Sequence, residues 1–177
     1  MFFVNCARHE LLEFLPDRCC IAEVGVKRGN FAEQIFSRAR PSRLHLIDPW
    51  GFEEVDPYLK LARETVQSSE KYYQMVVSKF NKHIETGRVV LHRTYSYEAA
   101  EVIGDDYFDW VYIDTLHTYD AVLTDLRAFD RKVKDDGFIL GHDFARSKKS
   151  TKHKYGVVEA VETFLGETGY RLVLVTN

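Results

Sequence analysis

The sequence predicts an α/β fold, an open and mostly parallel sheet with helices on both faces. Short apolar runs rich in branched residues alternate along the chain with segments whose apolar positions recur at helical spacing. Glycine or polar residues follow the clearest runs, at the end of the strand where open α/β sheets bind ligands. With 177 residues and a 45% hydrophobic fraction, residues 1–177 are expected to form one domain with a single sizeable core.

The clearest unit is a strand, a glycine turn, a helix and a second strand. Residues 19–26 form an apolar run too short and too branched for an ordinary helix, which favours a buried strand. Gly25 and Gly29 bracket the following turn, and Asn30 is the predicted cap of the next helix. The second strand ends at Asp48.

This unit has the features of a nucleoside-binding turn. Its glycines let the backbone pass close to a ligand, and the helix start offers N–H groups and a partial positive charge. An acid about 20 positions beyond such a turn, here Asp48, can accept both hydroxyls of a ribose. The dinucleotide fingerprint G-x-G-x-x-G is absent, and Glu23 precedes the first glycine. A buried acid there would repel a pyrophosphate but suit an amino or sulfonium group.

Two later strands bring polar side chains to the same edge. A predicted strand over 108–113 is followed by Asp114, and one over 138–140 is followed by His142 and Asp143. Parallel strands share a carboxyl edge, so we expect one ligand crevice there. Further helices are predicted over 7–15, 69–84, 96–103 and 156–166, and one more through Val122, Leu126, Phe129 and Val133. A turn is predicted at 134–137. Predicted strands over 89–91 and 170–175 bring the number of predicted strands to six.

Composition and charge exclude several classes of protein. The net charge of −3 argues against nucleic-acid binding, which usually requires a clearly basic chain. No apolar run is long enough to span a bilayer, and the amino terminus lacks the apolar region of a signal peptide. Three cysteines, two of them adjacent, do not make a disulfide framework, so a cytoplasmic location is expected.

Two pairs of motifs resemble a known enzyme family. E-V-G-V-K-R-G-N-F followed by L-H-L-I-D-P-W resembles the first two motifs of class I S-adenosylmethionine-dependent methyltransferases. F-D-W-V-Y-I-D-T-L-H-T-Y-D followed by G-F-I-L-G-H-D-F is similar to a small bacterial group within them, the metal-assisted sugar O-methyltransferases and cephalosporin-pathway relatives. The resemblance spans roughly residues 8–165 and implies a Rossmann-like sheet. It departs from the general family at Lys27, where the turn usually has glycine.

The resemblance also implies the roles of individual residues. A divalent ion, Mg²⁺ or another, would bind Asp114, His142 and Asp143. Imidazole is a softer ligand than Mg²⁺ prefers, which leaves open a transition metal or an outer position for His142. His117 would be the general base, or else an imidazole that only orders its loop. The residues implied to contact S-adenosylmethionine are Glu23, Gly25, Val26, Asp48, Ser96, Tyr97 and Asp114.

Four interpretations stay open from the sequence. Ser96 either contacts the adenine or only caps a helix. Residues 51–88 contain either a lid or substrate wall, or a plain surface insertion. The basic loop 146–154 is either a solvated face or a cover for an acidic acceptor. The family continues into one more antiparallel strand, so the sheet edge here is expected to be open or closed by a second copy in a homo-oligomer.

The predicted function is methylation of a hydroxyl on a small molecule, with a sugar as one candidate acceptor and with assistance from the metal. The expected partners are this acceptor and the cofactor, without nucleic acid or membrane. Two alternatives remain. One is a non-catalytic module that binds S-adenosylmethionine. The other is a nucleotide-sugar or NAD enzyme on the same fold, against which the missing G-x-G-x-x-G counts.

Overall fold

A computed structural model describes residues 7–51, 65–146 and 155–176, together with the backbone of Phe2–Val4. Part of the interval predicted to hold a lid or wall, residues 52–64, and most of the predicted basic loop, residues 147–154, lie outside the described residues. Within the described ranges, no helix combines the length and apolarity needed to cross a membrane.

The described strands and helices alternate along the chain. The strands are β1 (Phe2–Val4), β2 (Cys20–Val24), β3 (Arg43–Ile47), β4 (Val89–His92), β5 (Phe108–Ile113), β6 (Val133–Gly141) and β7 (Leu174–Thr176). The helices are α1 (Arg8–Leu11), α2 (Asn30–Arg38), α3 (Val66–Glu85), α4 (Ser96–Val102), α5 (Tyr119–Asp130) and α6 (Val157–Glu167). Five strands form one parallel sheet in the order β4-β3-β2-β5-β6. The predicted fold class, a doubly wound parallel α/β sheet, is confirmed.

Helices cover both faces of this sheet because its central strands are apolar on both sides. In β2, Ile21 packs into one core cluster and Ala22 into the other, as the alternation of a strand requires. The first face is covered by α2 and α3, which contribute Phe31, Val76 and Phe80 among others. The second face is covered by α4, α5 and α6. Helix α3, which falls within the interval predicted to hold a lid, is therefore part of the core.

The prediction of six strands in one sheet is wrong for the last strand, which does not join the main sheet. The predicted strand at 170–175 is shorter in the structure, and β7 pairs in parallel with β1 in a separate two-stranded sheet. The apolar run of β1, which was not predicted to be a strand, provides the edge on which β7 pairs. Among the described strands, β6 therefore lies at one edge of the main sheet.

The predicted turn at 134–137 is a bulge inside β6. Phe108 pairs with Val133 and Trp110 with Phe138, so β6 carries extra residues opposite two residues of β5. Val133, predicted as the last inward position of the preceding helix, is the first residue of β6. The polar K-D-D-G sequence was typical of a turn, but pairing resumes after it in the same direction.

Three local predictions near helix ends are corrected. The cap of α2 is Gly29, with a φ of 69°, and Asn30 is the first helical residue. The cap of α4 is Tyr95, so the interpretation of Ser96 as only a cap is wrong. Phe14, which falls inside the helix predicted over 7–15, is 72% exposed because α1 ends at Leu11 and the chain turns away.

Candidate functional site

The site forms where the strand order changes direction, between β2 and β5. Gly25 follows β2 with a φ of 90°, and a Cβ atom there would lie 2.1 Å from the carbonyl oxygen of Asp114. The Asp114 N–H donates to the Val24 carbonyl at 2.8 Å, and the Gly25 N–H donates to the Ile47 carbonyl at 2.8 Å. The carboxyl ends of β3, β2 and β5 are therefore joined side by side, as predicted.

Asp48 fastens the glycine turn to the end of β3. Its Oδ2 accepts the N–H groups of Val26 at 2.9 Å and Lys27 at 2.8 Å, and its Oδ1 accepts the N–H of Trp50 at 2.8 Å. Lys27 keeps the left-handed backbone that suits glycine, with a φ of 51°. Asp48 is only 2% exposed. Its observed role is to shape the turn, and its contact with a ribose stays a prediction.

Glu23 is a buried acid without a hydrogen-bond partner for one of its oxygens. Its side chain lies at the end of β2 and is 2% exposed, and Oε2 has no partner among the described residues. Burial raises the pKa of this carboxyl well above its ordinary value, and the charge of Asp114 adds to the effect. A buried acid that lacks a partner is suited to receive a donor or a positive charge from a ligand.

Replacing Glu23 with glutamine should stabilise the free protein at neutral pH. The raised pKa means that the stability of the wild type is fully present below the ordinary value of 4.5 and falls as pH rises toward the folded value. Glutamine does not titrate, so we expect Glu23→Gln to gain about 1–3 kcal/mol at pH 7 and nothing below about pH 4. Urea unfolding at pH values across this range measures the difference in unfolding free energy between Glu23→Gln and the wild type.

The matched control for this prediction is Glu101→Gln, which makes the same change on an exposed residue of α4. We expect its unfolding curves to follow the wild type at every pH. A Glu23→Gln gain that is equally large at acid and neutral pH would show that packing, rather than the buried charge, is responsible.

The residues predicted to contact adenine lie at the start of α4. The Ser96 hydroxyl donates to Asp125 Oδ1, and the Thr115 hydroxyl donates to Asp125 Oδ2 at 2.5 Å. Burial raises the pKa of Asp125, while these two hydrogen bonds act in the opposite direction. Tyr97 is 46% exposed and stacks on Tyr95. Ser96 thus ties α4 to Asp125 of α5, which also holds Thr115 of the loop after β5. The adenine contacts of Ser96 and Tyr97 stay predictions.

A cluster of two imidazoles and two carboxylates lies at the ends of β5 and β6. His117 Nε2 is 3.5 Å from Asp114 Oδ1 and 3.2 Å from Asp143 Oδ2. His142 Nδ1 is 3.6 Å and 3.5 Å from the same two oxygens. Both nitrogens are buried, and neither makes a hydrogen bond within the described ranges. Unpartnered nitrogens that face carboxylate oxygens are the donor set of a divalent-metal site, so these residues fit the predicted metal.

Arg8 holds the second oxygen of Asp114. Its guanidinium donates to Asp114 Oδ2 at 3.1 Å and lies over the ring of Phe31, 4.5 Å from the centroid. Burial alone would raise the pKa of Asp114, but its electrostatic interactions with His117, His142 and Arg8 outweigh the effect of burial and lower the pKa. The carboxylate therefore stays ionised. One of its oxygens accepts a hydrogen bond from Arg8, and the other faces the two imidazoles.

Sequence reasoning missed three residues that shape the site. Arg8 has no local signal, because its partner lies 106 positions away. Trp50 is buried and donates from Nε1 to the Lys27 carbonyl at 2.8 Å, which closes the glycine turn. Asp125 had a readable signal, since an acid three positions after Val122 on the apolar stripe of a helix is expected to be buried and to need partners.

Comparison with solved structures finds this fold in other proteins. A precorrin-6y C5,15-methyltransferase from Geobacter metallireducens is 14% identical, with a TM-score of 0.58, and the match covers 92% of this chain and 75% of that one. SMU.1697c from Streptococcus mutans, solved in complex with S-adenosylhomocysteine, is 11% identical, with a TM-score of 0.58 and coverage of 90% and 78%. At these identities the two structures show the fold alone. A comparison with curated protein sequences finds no match.

A protein-family model identifies the family of the chain, which the solved structures alone do not show. The family described as a methyltransferase domain matches residues 22–144, which is more than half of the chain. The match begins inside β2 and ends just beyond Asp143, so it includes the glycine turn and the imidazole–carboxylate cluster. The chain therefore belongs to this methyltransferase-domain family, within the class I S-adenosylmethionine-dependent methyltransferases.

Proposed function

We propose that the chain transfers the methyl group of S-adenosylmethionine to a hydroxyl of a small molecule, with a sugar as one candidate acceptor. The observation that carries this proposal is the order of polar groups along one sheet edge. Asp48 follows β3, Glu23 lies near the end of β2 and Gly25 follows it, Asp114 follows β5, and the His142–Asp143 pair follows β6.

This order supports a donor site next to an acceptor site. Adjacent strands are about 4.8 Å apart, so the glycine turn after β2 and the cluster after β6 are separated only by the width of β5. A cofactor held at Glu23 and Gly25 would have its sulfonium close to a hydroxyl bound at the cluster. Asp114 borders both halves, because its carbonyl touches Gly25 and its carboxylate faces the imidazoles.

The buried acid at Glu23 supports this cofactor in particular. Both the amino group and the sulfonium of S-adenosylmethionine are positive, and Glu23 Oε2 is buried without a partner among the described residues. A pyrophosphate at the same turn would face the acids Glu23, Asp48 and Asp114 together, which is electrostatically unfavourable. The charge of the site therefore favours the sulfonium nucleoside over a dinucleotide.

Transfer to a hydroxyl requires that the oxygen lose its proton as the sulfonium loses its charge. When bound at Asp114, His142 and Asp143, a divalent ion would lower the pKa of the acceptor hydroxyl. The sequence-based hypothesis gives the proton to His117, whose Nε2 lies within the same cluster.

Formation of S-adenosylhomocysteine from S-adenosylmethionine tests the proposal. The chain is incubated with the cofactor and with a panel of sugars, catechols and nucleosides, each paired with its deoxy or amino analogue. We expect product only when a hydroxyl acceptor is present, and we expect Asp114→Asn to reduce the rate at least about 100-fold. Turnover of the amino analogues but not of the hydroxyl compounds would overturn the choice of acceptor.

A further inference from the structure

We infer that His117 is a metal ligand, and that with Asp114, His142 and Asp143 it forms a site for a transition-metal ion rather than for Mg²⁺. The inference deepens the proposed function by naming the class of metal, and it replaces the general-base role of His117. It rests on the proposed function only for what the bound ion does in the reaction, because binding of the metal itself is measured without methyl transfer.

The spacing between the imidazole nitrogens and the carboxylate oxygens suits a single ion. The four distances between an imidazole nitrogen and a carboxylate oxygen run from 3.2 to 3.6 Å. Two donors on one ion, with bonds of about 2.0–2.2 Å, are separated by about 2.8–4.4 Å. The donor atoms of Asp114, His117 and His142 all lie within 4.8 Å of one another. Small adjustments of side chains would bring these three atoms to bonding distance, and Asp143 Oδ2 lies 3.2 Å from His117 Nε2 and 3.5 Å from His142 Nδ1.

Hydrogen bonding does not account for the arrangement. Buried imidazole nitrogens in proteins are normally hydrogen-bonded, either as donors or as acceptors. Neither His117 Nε2 nor His142 Nδ1 makes a hydrogen bond with any described residue, although each faces two carboxylate oxygens. A cation placed between the nitrogens and the oxygens would satisfy both orphan nitrogens at once.

The surroundings of His117 argue against the role of a general base. In a typical base, a carboxylate holds one ring nitrogen and leaves the other to face the reacting proton. Here both carboxylates lie around the same nitrogen, Nε2, at 3.5 Å and 3.2 Å. The ring stacks on Tyr155 at 4.7 Å, and the His117 carbonyl accepts the Gly156 N–H at 2.8 Å. These contacts hold Nε2 toward the carboxylates.

The donor set selects the class of metal. Mg²⁺ prefers oxygen ligands and keeps several waters, whereas two imidazoles with carboxylates suit Zn²⁺, Co²⁺, Fe²⁺ or Mn²⁺. Arg8 occupies Asp114 Oδ2, so this carboxylate offers a single oxygen, Oδ1, to the ion. A one-oxygen carboxylate beside two imidazoles fits a compact transition-metal site better than an oxygen-rich Mg²⁺ site.

Calorimetric titration of Zn²⁺ and Mg²⁺ into the full chain tests the inference. We expect one Zn²⁺ per chain, bound at least about 100-fold more tightly than Mg²⁺. We expect His117→Gln to weaken Zn²⁺ binding at least about 100-fold, more than the loss of an outer partner would cause. The control is His83→Gln, because His83 packs on Phe36 near the end of α3, away from the cluster. It should bind Zn²⁺ like the wild type.

A measurement on the unaltered chain covers the case in which His117→Gln does not fold. In long-range ¹H–¹⁵N NMR spectra of the imidazoles, addition of Zn²⁺ should change the ¹⁵N chemical shifts of two of the seven histidines together. A change in the chemical shifts of one imidazole alone, or wild-type Zn²⁺ affinity in His117→Gln, would overturn the inference. The proposed function fails separately, if the chain binds Zn²⁺ through His117 but never forms S-adenosylhomocysteine.

Discussion

Gly25→Ala should abolish cofactor binding and destabilise the chain by about 4 kcal/mol or more, since it combines a backbone clash with a strained conformation. The added Cβ would lie 2.1 Å from the Asp114 carbonyl oxygen and 2.6 Å from its carbonyl carbon, and backbone atoms cannot rotate away. Relief requires β2 and β5 to separate at the point where the two halves of the site meet. Chemical denaturation and titration with S-adenosylhomocysteine measure the two effects.

Gly87→Ala is the matched control for this variant. Gly87 also has a positive φ, 71°, but a Cβ there would have nothing within 4 Å. It should cost only the conformational strain, about 1–2 kcal/mol, and leave cofactor affinity unchanged. Equal losses in the two variants would show that the approach of Gly25 to Asp114 contributes nothing.

Asp48→Asn should be the second most damaging change, with an expected loss of about 2–4 kcal/mol. The carboxylate accepts three backbone N–H groups, from Val26, Lys27 and Trp50. An amide of the same shape has one acceptor oxygen, so its NH₂ group must face at least one of these donors. The turn then loses its anchor, and we expect affinity for S-adenosylhomocysteine to fall at least tenfold, or about 1.4 kcal/mol.

Asp136→Asn provides the comparison for this second variant. Asp136 is exposed on the bulge of β6, so the same change of charge should alter stability by less than about 0.5 kcal/mol. If Asp48→Asn unfolds like Asp136→Asn but loses cofactor affinity, the carboxylate acts on the ribose rather than on the turn. Urea unfolding and calorimetry together separate these outcomes.

Strand ends were the most predictable part of the molecule. The apolar runs before Gly25, Asp48 and Asp114 are short and branched, and each stops at a residue that cannot continue a buried strand. This local pattern, with the rule that parallel strands end at one edge, was enough to bring the three positions together. The prediction for β5 agrees with its observed bounds, Phe108–Ile113.

The errors arose where pairing between distant segments decides the structure. The K-D-D-G sequence of β6 has the composition of a turn, but β5 pairs on both sides of it and keeps the strand continuous. The last strand pairs with Phe2–Val4 rather than with the main sheet. Composition carries no information about such partners, because the competing edges lie far apart in sequence.

The same reason limits what the sequence could say about the site. Arg8 reaches Asp114 from the amino-terminal helix, and only the folded chain brings His117 Nε2 to both carboxylates. Sequence reasoning identified the side chains of the cluster correctly as neighbours. It assigned His117 a role from chemistry alone, whereas the arrangement of donor atoms around one nitrogen favours a ligand.

Calorimetric titration of S-adenosylhomocysteine into the wild-type chain, beside an identical titration with NAD, tests the central claim most directly. That claim is that the edge formed by Glu23, Gly25 and Asp48 binds a methyl-donor nucleoside. We expect one S-adenosylhomocysteine per chain with micromolar affinity, about −8 kcal/mol, and no heat with NAD. Equal binding of NAD, or no binding of S-adenosylhomocysteine, would contradict it.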